Sequence, residues 1–208
     1  MKKLMEVRPR TFDRRSDLHQ IQMKTQIRYL KEMKKVLYDQ KWAKRIKDFP
    51  VYYVWQGVKT ENSLRYDITS IPSRMLGEEF PKTKGHCHKK KEKEIYRVLT
   101  GKAFFLLQKG RGEIVEDVYV VPTEKGEFFI IPPGYHHLTI NPSKKALKMG
   151  NWVSKKCQND YDLFEKLQGA CYYYTKRGWL LNKNYKKVPK IRFEKPLKKK
   201  PKSLDFLK

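Results

Sequence analysis

Between residues 50 and 153 the chain carries short apolar runs and alternating apolar and polar positions, which predict β-strands. The run 51–55 is rich in Val, Tyr and Trp, and 64–69 alternates as a half-buried strand does. Further strand-like runs follow, divided by turn residues, at 94–99, 103–108, 118–121, 127–131, 138–140 and 146–153. Strands of this length with frequent turns are typical of an all-β sandwich or barrel.

The residues before this region follow a helical period instead. Ile27, Leu30, Met33 and Leu37 recur at helical spacing among lysines and arginines, and Ser16 is suited to an N-cap. The pattern predicts an amphipathic helix that begins near Ser16 and packs on the β domain. A short helix at 160–167 and a strand at 170–175 are predicted after the β region.

Three parts of the chain differ in composition. Residues 1–47 are predicted to form an arm and the amphipathic helix, and residues 48–175 the β domain. Residues 176–208 form a basic extension that becomes rich in Lys and Pro from about residue 186. This end is expected to be a tail that is mobile or lies over the surface.

The charge is strongly basic, with 48 Lys and Arg against 22 Asp and Glu and a net charge of +26. Such a field attracts anions, whether nucleic acid, a phosphorylated small molecule or an anionic membrane. No apolar run is long enough for a membrane span, and the N-terminus lacks the apolar stretch of a signal peptide. The three cysteines form no CxxC pair, which fits a reducing cytoplasm. We therefore expect a cytoplasmic protein without a membrane partner.

Four of the 5 histidines lie in two stretches, 85–88 and 132–137, while His19 lies far away. On a strand, His86 and His88 point to the same face, so both imidazoles can reach one ion. Glu94 begins the next predicted strand and can add a carboxylate. Imidazoles with a carboxylate are a suitable ligand set for Fe, Mn, Ni, Co or Zn.

Two of these ligand positions have a rival. Glu92 competes with Glu94, although Glu94 directly precedes an apolar strand, where a site should be more rigid. His136 competes with His137, and because adjacent strand residues face opposite sides, only one of the two is expected to bind. The residues alone leave both choices open.

The two stretches resemble the two motifs of the cupin superfamily. The first motif is matched by His86, His88, Glu94 and Gly101, and the second by Gly126, Pro132, Gly134, His137 and Asn141. The resemblance implies a small β-barrel or jelly roll. It favours Glu94 over Glu92 and His137 over His136.

More narrowly, residues 38–175 resemble the cupin-type glucose-6-phosphate isomerases, which are mainly archaeal. The likeness is carried by segments 83–88, 94–96, 106–108 and 131–133, together with His137, Thr139 and Asn141. It implies one divalent metal, iron before Mn, Ni, Co or Zn, held by His86, His88, Glu94 and His137. It also implies a homodimer, with sugar-phosphate contacts at Thr69, Thr83, Gly85, Tyr96 and Tyr161.

Three features depart from that family. Asn159 stands where the family often has histidine, and Val153 stands where a tyrosine is expected. The loop from His88 to Glu94 is one residue shorter than usual. The first two changes concern the phosphate end of the expected site.

The expected function is therefore a metal-dependent isomerase that interconverts glucose 6-phosphate and fructose 6-phosphate. Glu94 is the expected base, and His136 is expected at the rim near the substrate. One alternative is another metal-dependent cupin enzyme, such as a sugar epimerase or an oxygenase. Another is a basic, non-enzymatic cupin that binds nucleic acid, which is less favoured because the lysines are spread widely and no known motif is present.

Overall fold

Most of the strands belong to two β-sheets that share an apolar core. The structure, a computed structural model, describes residues 24–90 and 92–207. Its larger sheet has the order β1-β2-β3-β10-β5-β8 and its smaller sheet the order β14-β7-β6-β9. The strands are β1 (Lys24–Tyr29), β2 (Pro50–Glu61), β3 (Leu64–Ile71), β4 (Cys87–His88), β5 (Glu94–Thr100), β6 (Lys102–Arg111), β7 (Ile114–Glu124), β8 (Phe128–Ile131), β9 (His136–Ile140), β10 (Leu147–Ser154), β11 (Asn159–Asp160), β12 (Tyr172–Thr175), β13 (Gly178–Leu181) and β14 (Arg192–Phe193).

The helices are short and lie outside the sheets. They are α1 (Leu30–Met33), α2 (Gln40–Arg45) and α3 (Asp162–Lys166), and 3-10 turns cover Lys34–Val36 and Asp205–Leu207. None of the described helices is long and apolar enough to cross a membrane. The prediction of a mainly β chain is confirmed.

The two sheets face each other across aromatic side chains. The ring of Tyr96 on β5 lies 5.1 Å from that of Phe105 on β6, and Phe105 lies 5.4 Å from Phe129 on β8. Such ring pairs bury large apolar areas and fix the spacing of the sheets. Among the described residues, no strand of one of these two sheets pairs with a strand of the other. The predicted jelly roll is therefore confirmed, whereas a closed barrel does not form.

The N-terminal helix prediction is wrong over residues 24–29, which form β1. This strand pairs antiparallel with β2 at the edge of the larger sheet, and that pairing satisfies its backbone. Its side chains alternate, with Gln26 and Arg28 partly buried and Ile27 and Tyr29 exposed. Helical structure begins only at α1. The predicted arm, the helix start at Ser16 and His19 lie outside the described residues.

The basic C-terminal extension lies over the sheets. Its strand β14 pairs in parallel with β7, and Leu197 exchanges backbone hydrogen bonds of 2.8 Å with Phe128. Leu207 is buried against Leu64 and Ile95. The described parts of both flanking segments, residues 24–47 and 176–207, thus pack on the β domain, and the boundaries at residues 47 and 175 stay predictions.

A buried ion pair attaches the segment after α1 to the domain. Glu79 and Lys82 are each 1% exposed and pair with each other. Lys82 Nζ also donates to the carbonyl of Val36 at 2.8 Å, and the Tyr38 amide donates to Glu79 at 3.1 Å. Both charges are therefore compensated, and removal of one leaves the other buried.

We expect Lys82→Met to lower the free energy of unfolding by about 3–5 kcal/mol, because Glu79 loses its partner while it remains buried. Urea unfolding measures the loss. Lys102→Met is the matched control, since Lys102 pairs with Glu124 at the surface, where such a pair contributes less than about 1 kcal/mol. If both variants lose a similar amount of unfolding free energy, this account of the buried pair is contradicted.

Candidate metal centre

Three histidines and one glutamate converge between the sheets. His86, His88, Glu94 and His137 each offer one ligand atom, and these atoms all lie within 4.8 Å of one another. His88 comes from β4, Glu94 from the start of β5 and His137 from β9. The sequence predicted this set, and the structure brings all four residues together.

A short backbone bridge places His86 beside the distant His137. The His86 amide donates to the His137 carbonyl at 3.0 Å, and the His137 amide donates back at 2.8 Å. The two rings are therefore 4.4 Å apart. On the other side, β4 pairs with β11 and sets His88 opposite Asn159. Backbone pairing thus fixes where the imidazoles lie.

The outer atoms of three candidate ligands are held by hydrogen bonds. Nδ1 of His88 donates to the Glu92 carbonyl at 3.0 Å, and Nδ1 of His137 donates to the Tyr135 carbonyl at 3.2 Å. Each Nε2 therefore points inward and lies 3.5 Å from Glu94 Oε2, and in its unprotonated form it can bind a metal ion. Asn151 donates to the other Glu94 oxygen at 2.5 Å. Such outer contacts orient metal ligands.

The inner atoms fit a cation. Glu94 is 4% and His137 is 3% exposed, yet Glu94 Oε2 and His137 Nε2 have no hydrogen-bond partner among the described residues. Buried polar atoms normally have partners, and one divalent ion would satisfy both. Burial opposes the charge of Glu94, but the His137 and His88 imidazoles outweigh it and hold its carboxyl pKa well below the usual range.

The rival residues lie elsewhere. Glu92 supplies its backbone carbonyl to His88, and its carboxylate is not part of the cluster. The ring of His136 packs 5.4 Å from Phe164, and burial lowers its imidazole pKa to about 4. His136 does not line the cavity described next, because adjacent β9 residues point to opposite faces. The expected role of His136 near the substrate stays a prediction.

A cavity of about 780 Å³, including its open mouth, extends from the cluster. The other predicted substrate contacts all line it, namely Thr69, Thr83, Gly85, Tyr96 and Tyr161. Gly85 is required there: its φ is +78°, and a Cβ would lie 2.6 Å from the ring of Phe164. Burial and the neighbouring Glu94 raise the Tyr96 pKa well above its usual value, so its hydroxyl stays protonated.

Two of the three departures from the isomerase pattern also lie at this cavity. Val153 and Asn159 line its wall, and Asn159 donates from its side-chain amide to the Tyr161 hydroxyl at 3.2 Å. The hydroxyl of Thr83 accepts from the Thr139 amide at 3.0 Å. Neutral groups therefore dominate this part of the wall.

The structure adds charged residues that sequence reasoning missed. Arg28 reaches the cavity from β1, and Arg65 and Asp67 reach it from β3 as an ion pair of 2.9 Å. Arg28 was hidden because its segment was assigned to a helix. Asp67 and Asn151 could have been found as polar residues at inward strand positions, where apolar side chains are usual.

Known proteins resemble this chain over most of its described length. The family model "Glucose-6-phosphate isomerase (GPI)" matches residues 27–190. The glucose-6-phosphate isomerase of Pyrococcus abyssi is 35% identical over 122 residues, which cover 55% of this chain and 62% of that protein. That of Thermococcus litoralis is 33% identical over 129 residues, covering 59% and 65%. The chain thus spans less than two thirds of these relatives' lengths.

Solved structures resemble it more distantly. An oxalate oxidase in complex with the substrate analogue glycolate has a TM-score of 0.36 and 19% identity, covering 44% of this chain and 41% of that one. The Cnp3 cupin domain of Schizosaccharomyces pombe has a TM-score of 0.37 and 14% identity, covering 52% and 77%. At these scores the likeness adds nothing about chemistry.

We expect Asn151→Ala to weaken divalent metal binding by about 10- to 100-fold, because Glu94 loses the hydrogen bond that orients it. Calorimetric titration of the metal-free protein with Mn²⁺ measures the affinity. His136→Ala is the control and should change it by less than about twofold. Equal affinity in Asn151→Ala and the unmodified protein, or a large loss in His136→Ala, would refute this arrangement.

Proposed function

The chain belongs to the glucose-6-phosphate isomerase family, and from this premise we propose that it interconverts glucose 6-phosphate and fructose 6-phosphate. One observation carries the proposal: the cluster of three histidines and Glu94 opens into a cavity lined by hydroxyl and guanidinium groups. Such a cavity suits a sugar at the metal end and a phosphate at the other. The reaction is an aldose–ketose isomerisation, which moves a hydrogen between C1 and C2.

The cluster would hold one divalent ion through His86, His88, Glu94 and His137. We propose iron first, with Mn, Ni, Co or Zn as alternatives, since imidazole and carboxylate suit all of them. When bound, the ion would supply a Lewis acid for the sugar oxygens at the reacting carbons. His88 and His137 keep their orientation through the Glu92 and Tyr135 carbonyls, so the sugar end of the cavity is rigid.

Glu94 is the residue we propose to carry the proton. Its low pKa keeps it ionised, and Asn151 fixes one oxygen. The other oxygen would act by turns as a metal ligand and as a base for the C2 hydrogen. Tyr96, which stays protonated beside it, is a donor for a sugar oxygen. A hydride shift without a base is the alternative route, in which Glu94 acts only as a ligand.

Arg28 is the residue we propose to bind the phosphate. Its guanidinium lines the cavity, lies 5.9 Å above the Tyr161 ring and pairs with Glu32 at 2.6 Å. Tyr52 also lines this region, and its hydroxyl accepts from the Lys84 amide at 3.4 Å, between Thr83 and Gly85. A guanidinium matches the geometry of a phosphate, and Thr69, Thr83, Gly85 and Tyr161 can add neutral contacts.

The next properties are proposed only because this chain resembles its family. We propose a homodimer in the cytoplasm, with the phosphorylated sugar as its small-molecule partner. The free thiols of Cys87, Cys157 and Cys171 are compatible with a reducing compartment. Nucleic acid remains the less favoured partner.

The isomerase assay tests the proposed function. Fe²⁺-loaded protein is expected to convert fructose 6-phosphate to glucose 6-phosphate, and a chelator should stop the reaction until metal is restored. No turnover by fully metallated protein would show that this substrate is wrong. Oxygen consumption or turnover of other sugars would then favour an oxygenase or an epimerase.

Arg28→Ala is expected to raise the KM for fructose 6-phosphate about tenfold or more with a smaller change in kcat, since the phosphate lies away from the reacting carbons. Steady-state kinetics measure both constants. Arg45→Ala is the matched control, because Arg45 is exposed on α2 and does not line the cavity. If KM is unchanged in Arg28→Ala, another group binds the phosphate.

A further inference from the structure

The strands that hold the metal cluster have a second, outward face. Glu94, Tyr96 and Asn151 point inward, and their neighbours Ile95 and Trp152 therefore point outward. The outer face carries a separate cavity of about 710 Å³, including its open mouth. Its side chains come from β2, β3, β5, β8 and β10 and from the basic extension.

Aromatic rings form the floor and walls of this outer cavity. Tyr66 lies opposite Trp152 in register, and their rings are 5.1 Å apart. Gly150 makes room for Tyr66: a Cβ on Gly150 would lie 1.8 Å from the Tyr66 hydroxyl, so the ring can lie across the sheet only above a glycine. Phe128 forms a further wall. The floor is apolar and aromatic, and the rings of Tyr66 and Trp152 are inclined at 46° to each other.

The rim of the outer cavity is cationic. Lys59, Arg97 and Lys200 line it, and no acidic residue does. Over the part of the chain that the structure describes, none of these three forms an ion pair, and Arg97 lies 5.3 Å above the Phe128 ring. Uncompensated cations around an aromatic floor favour a ligand that is both planar and anionic.

The basic extension is held in place beside this cavity. Leu197 is hydrogen-bonded to Phe128 before Lys200, and Leu207 is buried against Leu64 and Ile95 after it. Lys200 is therefore positioned at the rim by contacts on both sides.

We propose that the outer cavity binds a nucleoside phosphate. The base stacks on the ring of Trp152 beside the tilted ring of Tyr66, and such stacking strengthens binding by about fivefold or more per base. The phosphate contacts Arg97, Lys59 and Lys200. The sheet separates this site from the metal centre, so the proposal does not depend on the isomerase reaction.

Calorimetric titration of the metal-loaded protein with AMP tests the proposal. AMP is expected to bind, and both Trp152→Ala and Arg97→Gln should weaken it about tenfold or more, whereas adenosine and inorganic phosphate should each bind at least tenfold less tightly than AMP. Arg111→Gln is the matched control on the other sheet and should change the affinity by less than about twofold. Because Arg97 is exposed, its variant should fold even if Trp152→Ala does not.

Four outcomes would overturn the proposal. Absence of AMP binding would do so directly. Loss of AMP binding in Arg28→Ala would place the nucleotide in the inner cavity. Equal affinity for inorganic phosphate and AMP would make the rim a plain anion site. If Arg97→Gln changes the oligomeric state in sedimentation analysis, this face is a contact between subunits.

Discussion

The buried carboxylate of Glu94 is the group on which the arrangement of this site depends. A charge this deeply buried has to be compensated, and here the compensation comes from His88, His137 and Asn151. These groups belong to β4, β9 and β10, so the carboxylate is satisfied only when strands of both sheets are in place. Folding of the jelly roll and assembly of the site are therefore one event.

The sequence predicts the ligands because their pattern is local. A histidine pair on one strand and a proline–glycine turn before His137 identify the two halves of the ligand set. Alternation allows only one of the two adjacent histidines to face inward, and the resemblance to the cupin motif selects His137. β1 could not be predicted in this way. Its apolar residues have helical spacing, and only pairing with the distant β2 makes it a strand. Arg28 was missed for that reason.

The cavity combines family features with features of this chain. Val153 presents no hydroxyl, and Asn159 is engaged with Tyr161, so neutral groups supply few strong phosphate donors on that wall. The guanidinium of Arg28 places a positive charge in the same cavity. On the outward face of the same strands, Gly150 and the basic extension form an unrelated cationic cavity. Because successive side chains of a strand point to opposite faces, the same sheet borders two cavities of different chemistry.

The central claim is that one divalent ion is held by these four side chains. An anomalous-difference map from crystals of the protein grown with Mn²⁺ measures the position of the ion directly. The account predicts one strong peak about 2.0–2.3 Å from donor atoms of His86, His88, Glu94 and His137. A peak coordinated by Glu92 or His136 instead, or no peak between the sheets, would contradict it.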